Sequence, residues 1–101
     1  MDNRIQLKLE NNRRGAFVIE ENQTRLAEMA VAIIDQNLVV YHTEVKEQLQ
    51  GQGVAGNLLA TMVDYARQNN LKVVPLCPYV LAQFKRHPEK YNDIWNQHWH
   101  Q

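Results

Sequence analysis

The chain changes its hydrophobic period once, and the change falls on the segment QLQGQGVAGNLL, Gln48 to Leu59. Upstream, Ile5, Leu7 and Leu9 alternate with polar residues, and the turn-prone pair Asn11-Asn12 ends that run. The stretches Ala16 to Glu20, Thr24 to Ile34 and Leu38 to Val45 follow, separated by polar turns at Glu21 to Gln23 and Asp35 to Asn37. Short strands joined by turns of this length read as hairpins, so the first half is expected to be an antiparallel meander. Downstream, Val54, Leu58, Leu59, Met62, Val63 and Ala66 recur at intervals of one, three or four. That spacing is one face of a helix running to about Gln68, with Asn69 and Asn70 as stop signals. The apolar run Leu71 to Cys77 then reads as a buried strand. A second helix is expected to start at Pro78 and to end at His87-Pro88.

A strand, a helix and a strand in this order give a right-handed crossover between parallel neighbours. The expected fold is therefore α/β in the α+β sense, a mixed sheet: an antiparallel meander, a β-α-β crossover with a parallel pair, and a C-terminal helix. The 101 residues suffice for one domain with one modest core. The tail from Glu89 to Gln101 shows no clear period. A short helical segment or a loosely held end is expected there, and Trp95 and Trp99 could cover a partner.

Two glycine patterns overlap in the central segment. Gly51, Gly53 and Gly56 spell G-x-G-x-x-G, the dinucleotide fingerprint, whereas Gln48, Gly51 and Gly53 spell Q-x-x-G-x-G. A dinucleotide fold places its glycines directly after the first strand and an acidic residue about 20 positions later. Here a meander and the polar stretch Lys46 to Gln50 precede the glycines, and Leu76 and Cys77 stand near the acidic position. A phosphate P-loop fails as well, because Asn57 and Leu58 follow Gly56 where Lys and Ser or Thr are needed. What survives is the shared physics. Glycines let a backbone approach a ligand closely, and the following helix offers unpaired N–H groups to an anion such as a pyrophosphate.

Charge and composition exclude several classes. Eleven basic and eleven acidic residues cancel, which leaves no strong field for nucleic acid or an anionic membrane. No apolar segment approaches the roughly 20 residues of a membrane span. A single cysteine cannot form an internal disulfide, and the N-terminal residues lack the apolar run of a signal peptide, so a cytoplasmic protein is expected.

The order of meander, Q-x-x-G-x-G loop, helix, buried strand and second helix resembles the GNAT superfamily of acyl-CoA-dependent N-acyltransferases. HTEV (His42 to Val45), GQGVAGNLL and VVPLCPYV followed by FKRHPEKY (Val73 to Tyr91) resemble its very small YjdJ-type branch. The resemblance covers about Phe17 to Tyr91. It implies an N-acetyltransferase that uses acetyl-CoA, with Val45, Gln48, Gln50, Gly51, Gln52, Gly53, Val54, Ala55, Gly56 and Asn57 around the coenzyme A pyrophosphate. Pantetheine would lie between the Leu38 to Val45 and Leu71 to Cys77 strands where they splay. Pro75 suits such a place, since it lacks a ladder donor. The resemblance also implies adenine and 3′-phosphate contacts from Phe84, Lys85 and Arg86, although a solvated basic helix end uses the same residue types. Larger relatives carry two helices between the first two strands, and Glu21 to Gln23 leaves no room for them. The acceptor site should be shallow, open or completed by another chain, and a non-catalytic acyl-CoA-binding or partner-binding module is the alternative.

Acyl transfer to an amine needs a base, a polarised carbonyl and a proton for the departing thiolate. Cys77 ends the buried strand just before a helix start, where a dipole favours a thiolate, so it is a candidate nucleophile beside its ordinary role as a small buried hydrophobe. His42 and Glu44 share one face of their strand and are candidate bases. Tyr79, in the first turn of the second helix, is a candidate proton donor to the coenzyme thiolate, a role that tyrosines of this region have in the resembled family. Arg13 and Arg14 are expected in a turn, with no function required. His98 and His100 have no further ligands at zinc-site spacing, so no metal site is expected. The amine acceptor and the oligomeric state are left open.

Overall fold

The computed structural model describes residues 2–99. Five strands, β1 (Gln6–Glu10), β2 (Arg14–Glu21), β3 (Thr24–Ile34), β4 (Asn37–Val45) and β5 (Lys72–Pro75), form one sheet in sequence order. β1 to β4 are antiparallel neighbours and β5 runs parallel to β4. Helix α1 (Val54–Gln68) makes the crossover, and α2 (Pro78–Arg86) and α3 (Pro88–Tyr91) follow β5. The mixed sheet expected from the change of period is present.

Local chemistry accounts for the turns. Asn11 and Asn12, and likewise Asn22 and Gln23, adopt positive φ in adjacent pairs, the backbone of tight hairpins whose twist matches right-handed strands. Asn tolerates this region better than most residues because its short polar side chain bonds locally. The β2–β3 connection is therefore a tight turn.

Period-two alternation sends Phe17, Ile19, Met29, Val31, Leu38 and Val40 to one face, where they join Leu58, Met62, Ala66, Val80 and Phe84 in the core. On the opposite face Ala16 pairs with Ala30, and Ala32 with Val39. No helix among the described residues covers that side.

Two strand ends differ from those the sequence suggests. β2 starts at Arg14 rather than Ala16, because Arg14 pairs with both Glu10 and Ala32. β5 stops at Pro75, two residues short of Cys77: Leu76 bonds back to Val74, is 42% exposed, and belongs to no strand. The tail is anchored. Arg67 on α1 grips Asp93 through Nε (2.9 Å) and Nη2 (3.0 Å), and Trp95 bridges Val73 as a parallel neighbour of β5.

Candidate active site

After Val45 the chain makes a 3-10 turn, Glu47–Leu49, and then passes through Gly51 at φ 82° and Gly53 at φ 73°. A side chain in this left-handed region costs roughly 1–2 kcal/mol, which accounts for glycine at both positions. Gly53 is the N-cap of α1 and provides no capping side chain. The first helical rung is the Asn57 N–H donating to Gly53 O at 3.0 Å. The amides of Val54, Ala55 and Gly56 precede the ladder and lie at the positive end of a 15-residue helix, an arrangement that attracts anions.

Gly56 has an ordinary helical backbone, and a Cβ built there, or at Gly51 or Gly53, meets nothing within 4 Å. A helical glycine costs about 1 kcal/mol relative to alanine. No protein atom occupies the space it leaves. The cleft at this point, of about 350 Å³, is lined by Val45, Leu49, Gln50, Gly51, Gly53, Val54, Ala55, Gly56 and Tyr79. It fits a pyrophosphate in size and in donors.

The cleft leads to the divergence of β4 and β5. Their pairing ends at Val40 opposite Pro75, and the Cys77 N–H donates to Val40 O at 2.8 Å. Beyond that bond β4 continues to Val45 paired with β3 but with no neighbour on its β5 side, while the chain turns into α2. A bulge accentuates the split: Ala30 pairs with His42 and Val31 with Val40, so Tyr41 is the extra residue, and bulges bend and twist a strand. Cys77 sits inside the split, 2% exposed, with Sγ 3.4 Å from Thr43 Oγ1. Tyr79 is half-buried at the same mouth, and burial, with Tyr91 and Cys77 nearby, pushes its phenol up. It therefore keeps its proton at neutral pH.

His42 and Glu44 lie on the helix-free face, as their alternation implies. His42 Nε2 is 2.7 Å from Glu28 Oε2 across the strand pair. That hydrogen bond, reinforced by Arg25, holds the Glu28 carboxyl below the ordinary range, so the carboxylate stays ionised and fixes the ring. Glu44 is largely exposed, 4.0 Å from Lys46.

The structure thus brings Val45, Gln50, Gly51, Gly53, Val54, Ala55, Gly56 and Tyr79 to one cleft, with Cys77 in the adjoining split. Gln48 and Gln52 are exposed beside it, Gln52 Nε2 donating to Gln48 O at 3.2 Å, while Asn57 Nδ2 turns away to Asp2 Oδ2 at 3.1 Å. One expectation needs correction. Phe84 is fully buried, stacked on Tyr91 at 4.6 Å and edge-on to Trp95 at 5.7 Å, so it is a core residue and shows no ring face to an adenine. Trp95 likewise packs inward. Lys85 and Arg86 are exposed on the last turn of α2, outside the cleft lining. Among the described residues no three His, Cys, Asp or Glu side chains gather as metal ligands; His100 lies outside the described residues.

Sequence reasoning missed Glu28, Thr43 and Leu49. Glu28 is an acid within the apolar β3, between Ala27 and Met29, and that interruption was the available signal.

A small domain with a glycine-bounded anion cradle at a helix start, opening into a split parallel pair, defines an acyltransferase of the GNAT type. Residues 16–94 match the family model described as GCN5-related N-acetyl-transferase, and the chain belongs to that family. Among solved structures it is similar to a GCN5-like protein from Staphylococcus aureus described as a candidate N-acetyltransferase, studied by NMR in solution. The two share 29% identity over 98% of each chain, with a TM-score of 0.67. No curated protein matches the chain.

Proposed function

We propose that the protein is an acetyl-CoA-dependent N-acetyltransferase of a very small, cytoplasmic type. The observation that carries this reading is the uncapped start of α1 beside Gly56, facing a cleft that runs into the β4–β5 split. The amides of Val54, Ala55 and Gly56 hold the coenzyme pyrophosphate, with Gln50 and Gly51 at its rim. The pantetheine arm enters between Tyr41–Val45 and Leu76–Tyr79, which places a thioester near Cys77. Lys85 and Arg86 are the cations available to the 3′-phosphate. When bound, acetyl-CoA supplies the activated acyl group.

The core closes the helix side of the split, so the amine arrives from the helix-free face. His42, oriented by Glu28, takes the proton of the attacking amine directly or through water; the new bond is N–C and the broken one is C–S. Tyr79 gives its proton to the departing thiolate. Glu44 is the second candidate base. A buried Cys77, engaged by Thr43, favours direct attack, with the cysteine lining the site.

The test is a calorimetric titration with acetyl-CoA, CoA and NADH, followed by amine-dependent release of CoA and intact-mass analysis. Saturable binding of both CoA species without NADH, and CoA release that requires an amine, are expected. An acetyl group retained by the protein without an acceptor, and lost in Cys77→Ala, would replace direct attack by a route through the cysteine. Failure of both CoA species to bind would overturn the proposal.

A further inference from the structure

The helix-free face carries a charge pattern that the proposed transfer chemistry uses at one end only. Along β3 the residues Glu28, Ala30 and Ala32 point to this face in succession. Glu28 lies directly opposite Glu44 on β4, and Arg14 of β2 lies opposite Ala32. Two carboxylates therefore stand at one end of a floor of small residues and an arginine at the other. Like charges directly opposite on a sheet are unfavourable, and His42, Arg25 and Lys46 only partly surround the acidic pair.

The arginine end forms no ion pair, although Glu10 lies opposite Arg14 on β1. Lys8 is paired with Glu20, Arg25 with Glu20 and Glu28, and Lys46 lies near Glu44. Among the described residues neither Arg13 nor Arg14 has a carboxylate within 4.0 Å. Asp35 lines the same groove and pairs with neither. Arg14 is common to two adjoining cavities: one of about 290 Å³ with Ala30, Val31, Tyr41 and His42, and one of about 440 Å³ with Arg13, Ala32, Ile33, Ile34 and Asp35. The cavity that holds the proposed base therefore ends on a guanidinium that forms no ion pair among the described residues. Guanidinium forks match carboxylate and phosphate oxygens in pairs of hydrogen bonds.

We infer that the acceptor is a small amine that also carries an anionic group, a carboxylate or a phosphate, held by Arg14 with Arg13 beside it while the amine lies at His42, Glu28 and Glu44. This rests on the acetyl-transfer reading. From Glu28 to Ala32 is four residues along one strand, about 14 Å at 3.4 Å per residue. His42, opposite Ala30, stands only two residues from the Arg14 register at Ala32, about 7 Å along the strand direction, and both His42 and Arg14 line one cavity. Ala30, with only a methyl group, lines the cavity between them. A simple alkylamine leaves both arginines unused, and the second ammonium of a polyamine meets them as a like charge.

The test uses the intact chain and steady-state CoA release with matched acceptors: β-alanine against propylamine, and 2-aminoethyl phosphate against ethanolamine. The expected result is a kcat/KM at least tenfold higher for one anionic acceptor than for its neutral match. The preferred pair tells carboxylate from phosphate. R14Q should collapse the ratio toward one, chiefly through KM for the anionic acceptor, and R14K should restore part of it. Equal use of charged and neutral amines, or a ratio that persists in R14Q, overturns the inference while leaving N-acetyl transfer in place. An NMR titration of the CoA-bound protein with N-acetyl-β-alanine separates the two readings. Binding at Arg14 that is lost in R14Q, with no amine acetylated, would keep the anion site and discard the transfer reading. Absence of both binding and anion preference would discard the site.

Discussion

Substituting alanine at Gly53 and at Gly56 should move stability in opposite directions while moving coenzyme binding in the same direction. Gly53 stands at φ 73° as the N-cap of α1, a region that disfavours any Cβ by roughly 1–2 kcal/mol. A Cβ there touches nothing, so the whole loss is conformational. For a domain of this size 1 kcal/mol corresponds to about 4–8 °C in Tm, and Gly53→Ala should melt lower by about 4–15 °C. Gly56 is helical and equally open. Alanine there gains up to about 1 kcal/mol, raising Tm by a few degrees. Both substitutions place a methyl group at the cradle, so each should weaken CoA binding tenfold or more. Circular dichroism melts with and without saturating CoA read both quantities at once, because a ligand at 100 times its Kd adds about 2.7 kcal/mol. A stabilised Gly56→Ala protein that keeps the full CoA-dependent rise in Tm would refute the assignment of the cradle. A Gly56→Ala protein that is less stable would refute the claim that nothing in the chain uses that space.

Phe84→Leu, which keeps most of the volume but loses the aromatic pairs, should cost about 1–2 kcal/mol in urea unfolding; CoA affinity should stay within twofold, whereas an adenine-stacking role would show a large loss. The Arg67 bond holds the Asp93 carboxyl below its usual range, so its contribution is present above the unfolded value near 3.9 and disappears as pH falls through the lower folded value. Asp93→Asn should therefore lower Tm slightly at pH 7, by the equivalent of about 0.5–1 kcal/mol for an exposed two-bond pair, with no difference from wild type at the acid extreme. Glu28→Gln should reduce turnover about 10- to 100-fold while CoA titrations remain unchanged, because the carboxylate orients His42 rather than holding the coenzyme. An unchanged kcat would remove His42 and Glu28 from the mechanism.

The sequence revealed those parts that rest on local rules. Alternation from Phe17 to Val45 and helical spacing from Val54 to Ala66 each leave one apolar face, and the two faces have only each other to cover. Gly51 and Gly53 were readable because their backbone conformation disfavours most other residues. Features set by long-range register were hidden. Nothing near Glu28 indicates that it meets His42, which is 14 positions away and arrives by pairing across β3 and β4. The bulge at Tyr41 belongs to the pairing of two strands. Phe84 was misplaced because its basic neighbours Lys85 and Arg86 suggested a ligand-facing end, while α2 turns that one position toward Tyr91 and Trp95. Arg14 was assigned to a turn because polar residues run on from Asn11 and Asn12, whereas β2 begins at Arg14, two residues before Ala16.

The strands lie side by side in the order in which they are synthesised, with one exception in kind: β5 reaches β4 only after α1 has crossed over. Hairpins close quickly because their partners are near in sequence, whereas parallel pairing must first close a long loop. The joint between β4 and β5 is therefore expected to form late, and it is also the joint whose far end stays open. A ligand wedged between them would tie together the two segments with the greatest loop entropy to overcome, so hydrogen-exchange protection gained on CoA binding should concentrate in Tyr41–Val45 and the start of α2. In so small a protein, occupancy of the site and completion of the fold would then be measured at the same seam.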